Sequence, residues 1–166
     1  MAAAVIASME ALYERPGFLL RRAHQISVAL FELHCGDLGL TPPQFGVLSA
    51  IAASPGIDQA TLARALGYDK VTVLHVVRGL EARDLVTRSD GVADRRRISL
   101  TLTEGGSTLL ARARKASLRA SEQLLAPLKP QERVQFLSSL DRICNELEQL
   151  ARAPMIKLGK TPLTAG

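Results

Sequence analysis

The chain has 166 residues, 22% of them charged and 4% aromatic, with no tryptophan. That length fits one domain with extensions, built on a core of Leu, Ala, Val and Ile, and the net charge of +5 suits a polyanionic partner. Cys35 and Cys144 lie too far apart in sequence for a disulfide framework, which points to a reducing cytoplasm. The start carries no basic segment of the secretory type, and no apolar run reaches the roughly 18 residues a membrane span needs. There is no glycine-rich phosphate loop and no Ser/His/Asp signature. The three histidines and two cysteines lack metal-site spacing, so neither an enzyme nor a cofactor is expected.

In chain order, Ala2–Tyr13 reads as a short helix or a disordered lead, ended by Pro16-Gly17. Phe18–Cys35 reads as a helix with Leu19, Ala23, Ile26, Leu30 and Leu33 at alternating four and three spacing, a helix–helix seam. Gly36 and Gly39 mark its end. Thr41 then caps a helix with Pro42 at its first position, where a missing N–H costs nothing. Phe45, Leu48, Ile51 and Ala52 form its buried side, and Ser54-Pro55-Gly56 is a turn.

Asp58 caps a short helix carrying Leu62, Ala65 and Leu66, which Gly67 ends in a left-handed conformation. Asp69 caps the next, DKVTVLHVVRGLE. Val73, Val76, Val77 and Leu80 make one apolar stripe on it. Val71, Leu74, His75 and Arg78 fall together on the other side. Apolar groups beside a histidine and an arginine make a poor solvent face and a good surface for major-groove base edges. The β-branched run Leu85–Arg88 and the alternating Ile98, Leu100 and Leu102 are expected to form a hairpin across SDGVADRR, with Arg95, Arg96 and Arg97 near its tip. A helix–turn–helix followed by a basic hairpin is a winged helix. Its second helix enters the major groove, and its wing reaches a minor groove whose negative potential attracts Arg. Residues 61–100 hold eight Lys/Arg against five Asp/Glu, so the charge sits on the reading surface.

Beyond the hairpin, Thr103-Glu104 opens a long helix to about Ala126, with Leu109, Ala113, Ala116, Ala120 and Leu124 as its stripe. Pro127 and Pro130 break it. Gln131–Ala151 reads as another helix, striped by Phe136, Leu140, Ile143, Leu147 and Leu150. Arg152–Gly166 is a mixed tail that packs on a second subunit or stays loose. The two terminal segments leave apolar stripes that one subunit has little left to cover, so a homodimer is expected.

Leu40–Gly106, about two-fifths of the chain, resembles the MarR family of bacterial transcription regulators. The matching features are Leu40-Thr41 with Gln44, Leu62-Ala63, Leu66-Gly67, Asp69-Lys70, Thr72-Val73, Leu80-Glu81, Leu85-Val86 and Arg88. The wing Asp94-Arg95-Arg96, then Leu102-Thr103 and Gly106, complete the pattern. Where the family often has Ser, Thr and Arg on its reading helix, this chain has Val71, Leu74 and His75, and Arg78-Gly79 replaces an acidic–basic pair. The operator of a relative therefore does not carry over.

The resemblance implies a mainly α fold with a small β-hairpin: one MarR-like domain over residues 1–166, with dimerisation helices at 17–38 and 104–152 and a winged helix–turn–helix at 41–102. It implies a homodimeric, ligand-responsive repressor of double-stranded DNA. The expected DNA-binding residues are Lys70, Val71, Thr72, Leu74, His75, Arg78, Arg95 and Arg96. Thr41 or Gln59 are further phosphate contacts, and Asp94 orients the wing arginines. The opening GFLLRRAHQ resembles regulators of aromatic-acid catabolism. In those regulators a small carboxylate or its thioester releases the repressor; Arg21 and His24 are candidates to pair with a carboxylate, with Phe18, Phe31 and Phe45 as apolar walls. Two alternatives stand beside this: a peroxide sensor acting through Cys35, next to His34, and a helical interaction module that does not bind DNA.

Overall fold

The computed structural model describes residues 9–90 and 98–158. Seven α-helices and a small sheet follow in chain order among them: α1 (Met9–Tyr13), α2 (Pro16–Cys35), α3 (Pro42–Ala53), β1 (Ile57–Asp58), α4 (Gln59–Leu66), α5 (Lys70–Glu81), β2 (Val86–Asp90), β3 (Ile98–Leu102), α6 (Glu104–Leu125) and α7 (Pro130–Glu146). Single 3₁₀ turns follow α2 at Gly36–Leu38 and α7 at Glu148–Leu150.

The helix starts are set by local chemistry. Thr41 and Gln44 form a reciprocal box at α3, the Gln44 N–H donating to Thr41 Oγ1 (3.4 Å) and the Thr41 N–H to Gln44 Oε1 (3.0 Å). Thr103 caps α6 through the Gly106 N–H, at 2.9 Å. At α2 the helix begins at Pro16 rather than Phe18, because proline's fixed φ and missing N–H suit the first turn.

α3 is apolar nearly all round because it is the centre of the reader, packing on α4, α5, α6 and β3. Val47, Leu48 and Ile51 are wholly buried there, and Leu62, Val73, Val77, Leu80 and Leu100 close around them. Of the expected buried side, Phe45 and Ala52 are only partly covered. Val47 takes the central place instead, because neighbours stand on several sides of α3.

The hairpin has a third strand that alternation does not reveal. β1 is two residues long and pairs antiparallel with β3, Ile57 with Leu100 and Asp58 with Ser99, giving the order β1-β3-β2. Two residues are too few to show a period. β2 and β3 are antiparallel from Val86–Leu102 to Asp90–Ile98. Gly106 is where the sheet meets α6: a Cβ there would collide with the Leu85 carbonyl, so the close approach admits glycine alone.

α2 and α6 pack along one another. The expected α2 seam is largely open, with Leu19 at 54%, Ile26 at 48% and Leu33 at 70% exposure, while Phe31 and Cys35 are the buried residues. α7 is open too, and none of its residues is buried. It stops at Glu146 instead of running to Ala151, because the chain reverses there: the Glu148 carboxylate accepts the Met155 N–H at 2.5 Å. After that reversal the tail lies on α4 of its own chain, where the Ile156 N–H donates to the Arg64 carbonyl at 3.0 Å. No helix among the described residues is long and apolar enough to cross a membrane.

Candidate nucleic-acid interface and effector cleft

α4 and α5 are started by the same device used twice. Asp58 Oδ1 accepts the Thr61 N–H (2.9 Å) and its Oδ2 accepts the Thr61 hydroxyl (2.9 Å). Asp69 does the same for Thr72, both bonds at 2.8 Å. These bonds hold the exposed Asp69 carboxyl below its ordinary value, the Thr72 N–H contributing most and the Thr72 hydroxyl next. Between the two caps, Gly67 takes φ 63°, the left-handed turn that swings α5 out of line with α4.

The swing sorts α5 into two faces. Val73, Val77 and Leu80 point into the core. Val71 is 76% exposed, with His75 and Arg78 also exposed and Leu74 and Thr72 half-buried. A valine three-quarters exposed beside a histidine and an arginine has no covering partner among the described residues. Thr72 departs from its expected role in one respect: its hydroxyl hydrogen is committed to Asp69. Thr41 is likewise occupied in its capping box, Lys70 is exposed, and Gln59 is half-buried.

Arg88 ties the base of the wing to the end of α5. Its Nε lies 2.9 Å from Glu81 Oε2, an ionic contact without a directed hydrogen bond, and its Nη2 is buried with no hydrogen-bond partner among the described residues. Across the strands the Thr87 and Thr101 hydroxyls meet at 2.9 Å. The wing candidates Arg95 and Arg96, with Asp94, lie outside the described residues.

The five candidate effector residues fall into two groups. Phe18 and Phe31 are separated by about 20 Å along α2, at about 1.5 Å per residue. At the first end Phe18 packs on Tyr13, ring centroids 5.2 Å apart, and Arg21 stacks over Phe18 at 4.9 Å while donating to Gln25 at 3.2 Å. His24 instead lines an apolar groove of about 630 Å³ between α2, α6 and α7, with Leu20, Leu124, Phe136, Leu140 and Ile143. At the other end Phe31 and Phe45 meet at 5.6 Å, over buried Cys35 and Ala116. One small acid cannot touch both ends. Sequence reasoning set His34 beside Cys35 and missed Gln123, to which His34 is joined at 2.7 Å across α2 and α6. Partners so far apart along the chain leave no local pattern.

Cys35 is wholly buried, and desolvation pushes its thiol up, offset only in part by the Arg119 charge. A protonated, buried thiol is a poor peroxide sensor, and His34 turns to Gln123 rather than to it.

A capped helix–turn–helix with an unsatisfied apolar and basic face, backed by a three-stranded sheet, defines a winged-helix DNA-binding protein. Comparison with known proteins identifies which kind. The model of the MarR family matches residues 38–97. The transcriptional repressor NicR of Pseudomonas putida is 35% identical over 135 residues, which cover 81% of this chain and 85% of the repressor. The repressor CouR, solved bound to a 23-mer DNA duplex, superposes with a TM-score of 0.77 at 32% identity, covering 86% of this chain and 99% of that one. BpsR of Bordetella bronchiseptica, solved for the regulation of its DNA binding by 6-hydroxynicotinic acid, gives 0.76 at 33% identity, covering 80% and 95%. The chain belongs to the MarR family. It is a transcription regulator, not an enzyme.

Proposed function

We propose that the chain is a cytoplasmic repressor that binds a pseudo-palindromic operator as a homodimer and is released by a small aromatic acid or its thioester. The observation that carries this is the outward face of α5, where Val71 stands 76% exposed beside His75 and Arg78. Val71 and Leu74 meet thymine methyls there, and Arg78 meets guanine. Lys70 contacts a phosphate, and Arg95 and Arg96 occupy a minor groove. Thr72 lends its methyl group, its hydroxyl hydrogen being taken by the cap.

The partner is a second copy of this chain. Leu19, Ile26, Phe136, Ile143 and Leu147 are each at least 39% exposed in one subunit. An isologous contact covers the same face on both copies and sets two α5 helices about one DNA turn apart, ~34 Å. A gel shift on the chain's own upstream region tests the reading: Val71→Asp with Arg78→Ala should abolish the shifted band. Retention of a sequence-specific shift in that variant refutes it. Arg95→Ala with Arg96→Ala should instead flatten the salt dependence.

The effector acts by preferring a spacing of the two α5 helices that DNA does not accept, so its leverage equals its difference in affinity between the two states. The kinship to BpsR supports an aromatic acid. Arg21 and His24 are the partners for its carboxylate and Phe18 supplies an apolar contact at that end of α2, while Phe31 and Phe45, at the other end, lie beyond the reach of the same small acid. Calorimetry with aromatic acids should lose most of its heat in Arg21→Ala or His24→Ala. Equal heats in both variants place the carboxylate elsewhere.

A further inference from the structure

The tail after α7 does more than end the chain. Leu158 packs against the reader's core, the Ala153 carbonyl and the Met155 side chain lie against Gly67, and the Ile156 N–H donates to the Arg64 carbonyl at 3.0 Å. That carbonyl, in the last turn of α4, also accepts the Gly67 N–H at 3.3 Å, so the tail adds a second bond to it. The tail is therefore fixed across the turn between α4 and α5.

Fixing it there closes a cleft of about 700 Å³ beside the start of α5, lined by Ala60, Ala63, Arg64, Tyr68, Asp69 and Lys70 on one side and Arg152, Ala153 and Pro154 on the other. Three cations and one carboxylate line it. The carboxylate is Asp69, and both its oxygens are already bonded to Thr72. Arg64, Lys70 and Arg152 make no ion pair or side-chain hydrogen bond among the described residues. Three cations lining one cleft without a carboxylate partner of their own offer an acidic group a place to bind. Arg64 and Arg152 offer planar donor forks, the geometry that suits phosphate oxygens, and Lys70 adds a point charge. The first-turn N–H of α5 at Thr72 is spent on Asp69, so the side chains carry the site.

We propose that this cleft binds a phosphate group, held between Arg64 and Lys70 of the reader and Arg152 of the tail. The group is either a phosphodiester of duplex DNA flanking the base-reading face, which rests on the DNA-binding reading above, or a free polyphosphate. Because a backbone contact is blind to sequence, a mixed-sequence duplex serves as the probe.

The full chain is titrated with that duplex by fluorescence anisotropy across salt. Arg152→Ala should weaken binding about fivefold to tenfold near ~0.1 M salt and reduce the log–log salt slope by about 0.9. Arg152→Lys should restore the slope. Arg142→Ala, which removes a charge on α7 outside the cleft, should leave it unchanged, and Arg64→Ala repeats the test from the opposite wall. In parallel, inorganic pyrophosphate is titrated against the melting temperature. A rise in the wild type that Arg152→Ala and Arg64→Ala abolish, with the duplex slope unmoved, assigns the cleft to a free anion. Slopes and melting temperatures equal to wild type in both variants overturn the site. In that case sequence-specific binding lost in Val71→Asp but kept in Arg152→Ala leaves the repressor reading intact. A wild type that binds no duplex removes both that reading and the phosphodiester, and the pyrophosphate titration alone then decides.

Discussion

The reader, from α3 to β3, and the two outer helices, α2 and α7, use the same apolar residue types to different ends. In the reader, Leu48, Ile51, Leu62, Leu80 and Leu100 are fully enclosed. On α2, on α7 and in the turn just after it, Leu19, Leu33, Ile143, Leu147 and Leu150 stand open, Leu150 at 76%. Side chains of one chemistry are thus structural where neighbours surround them and available for association where none do. The reader is complete within one subunit, and the outer helices are half of something.

The sharpest break of that comparison is to truncate one leucine in each region. Leu48→Ala should cost about 2–5 kcal/mol of subunit stability through the cavity it leaves. Leu147→Ala should stay within about 0.5 kcal/mol in dilute solution, where the subunit is alone. Denaturant melts at two protein concentrations separate these, because Leu147→Ala should lose stability only where association contributes. An equal loss in both variants at high dilution means that the end of α7 completes its own subunit.

Next comes the join between the two regions. Gly106→Ala pushes a methyl group into the Leu85 carbonyl at the seam of sheet and α6. The backbone must shift, and about 1–3 kcal/mol is expected from such overpacking. A thermal melt measures it, and amide exchange should show the loosening at Leu85 and Thr103, which share a backbone hydrogen bond of 3.2 Å.

The caps of the reader come third. Asp58→Ala removes two bonds to Thr61 and should cost about 1 kcal/mol. Asp58→Asn should recover most of it, since Asn caps nearly as well. A melt in which the Asn variant is no better than Ala would show that the charge, not the hydrogen bond, matters there.

The smallest effect is that of pH on Asp69. Its folded carboxyl titrates below the ordinary carboxylate range. Its stabilisation is therefore fully present above the unfolded value and is lost as pH falls through the folded one. The stability gap between wild type and Asp69→Ala should be constant near neutrality and shrink below about pH 4. A gap that widens on acidification contradicts the Thr72 bonds as the cause.

Much of this was legible in the chain itself. Capping residues act over three or four positions, so Thr41, Asp58, Asp69 and Thr103 set their helix starts locally, and the two-faced periodicity of 70–81 separates Val73 and Val77 from Val71 and His75. Contacts between distant segments were not legible. Strand β1 exists because β3 offers it a ladder, the His34–Gln123 bond needs α2 beside α6, and Phe18 and Phe31, alike in residue type, sit at opposite ends of one helix. The tail's place on α4, and with it the cation cleft, depends on where α7 turns back. Residue order determined periods, caps and turns, because those are governed by neighbours a few bonds away. Only tertiary structure decided which apolar stripe is enclosed, which is left open, and which charges meet, because burial and convergence depend on segments that no local rule brings together.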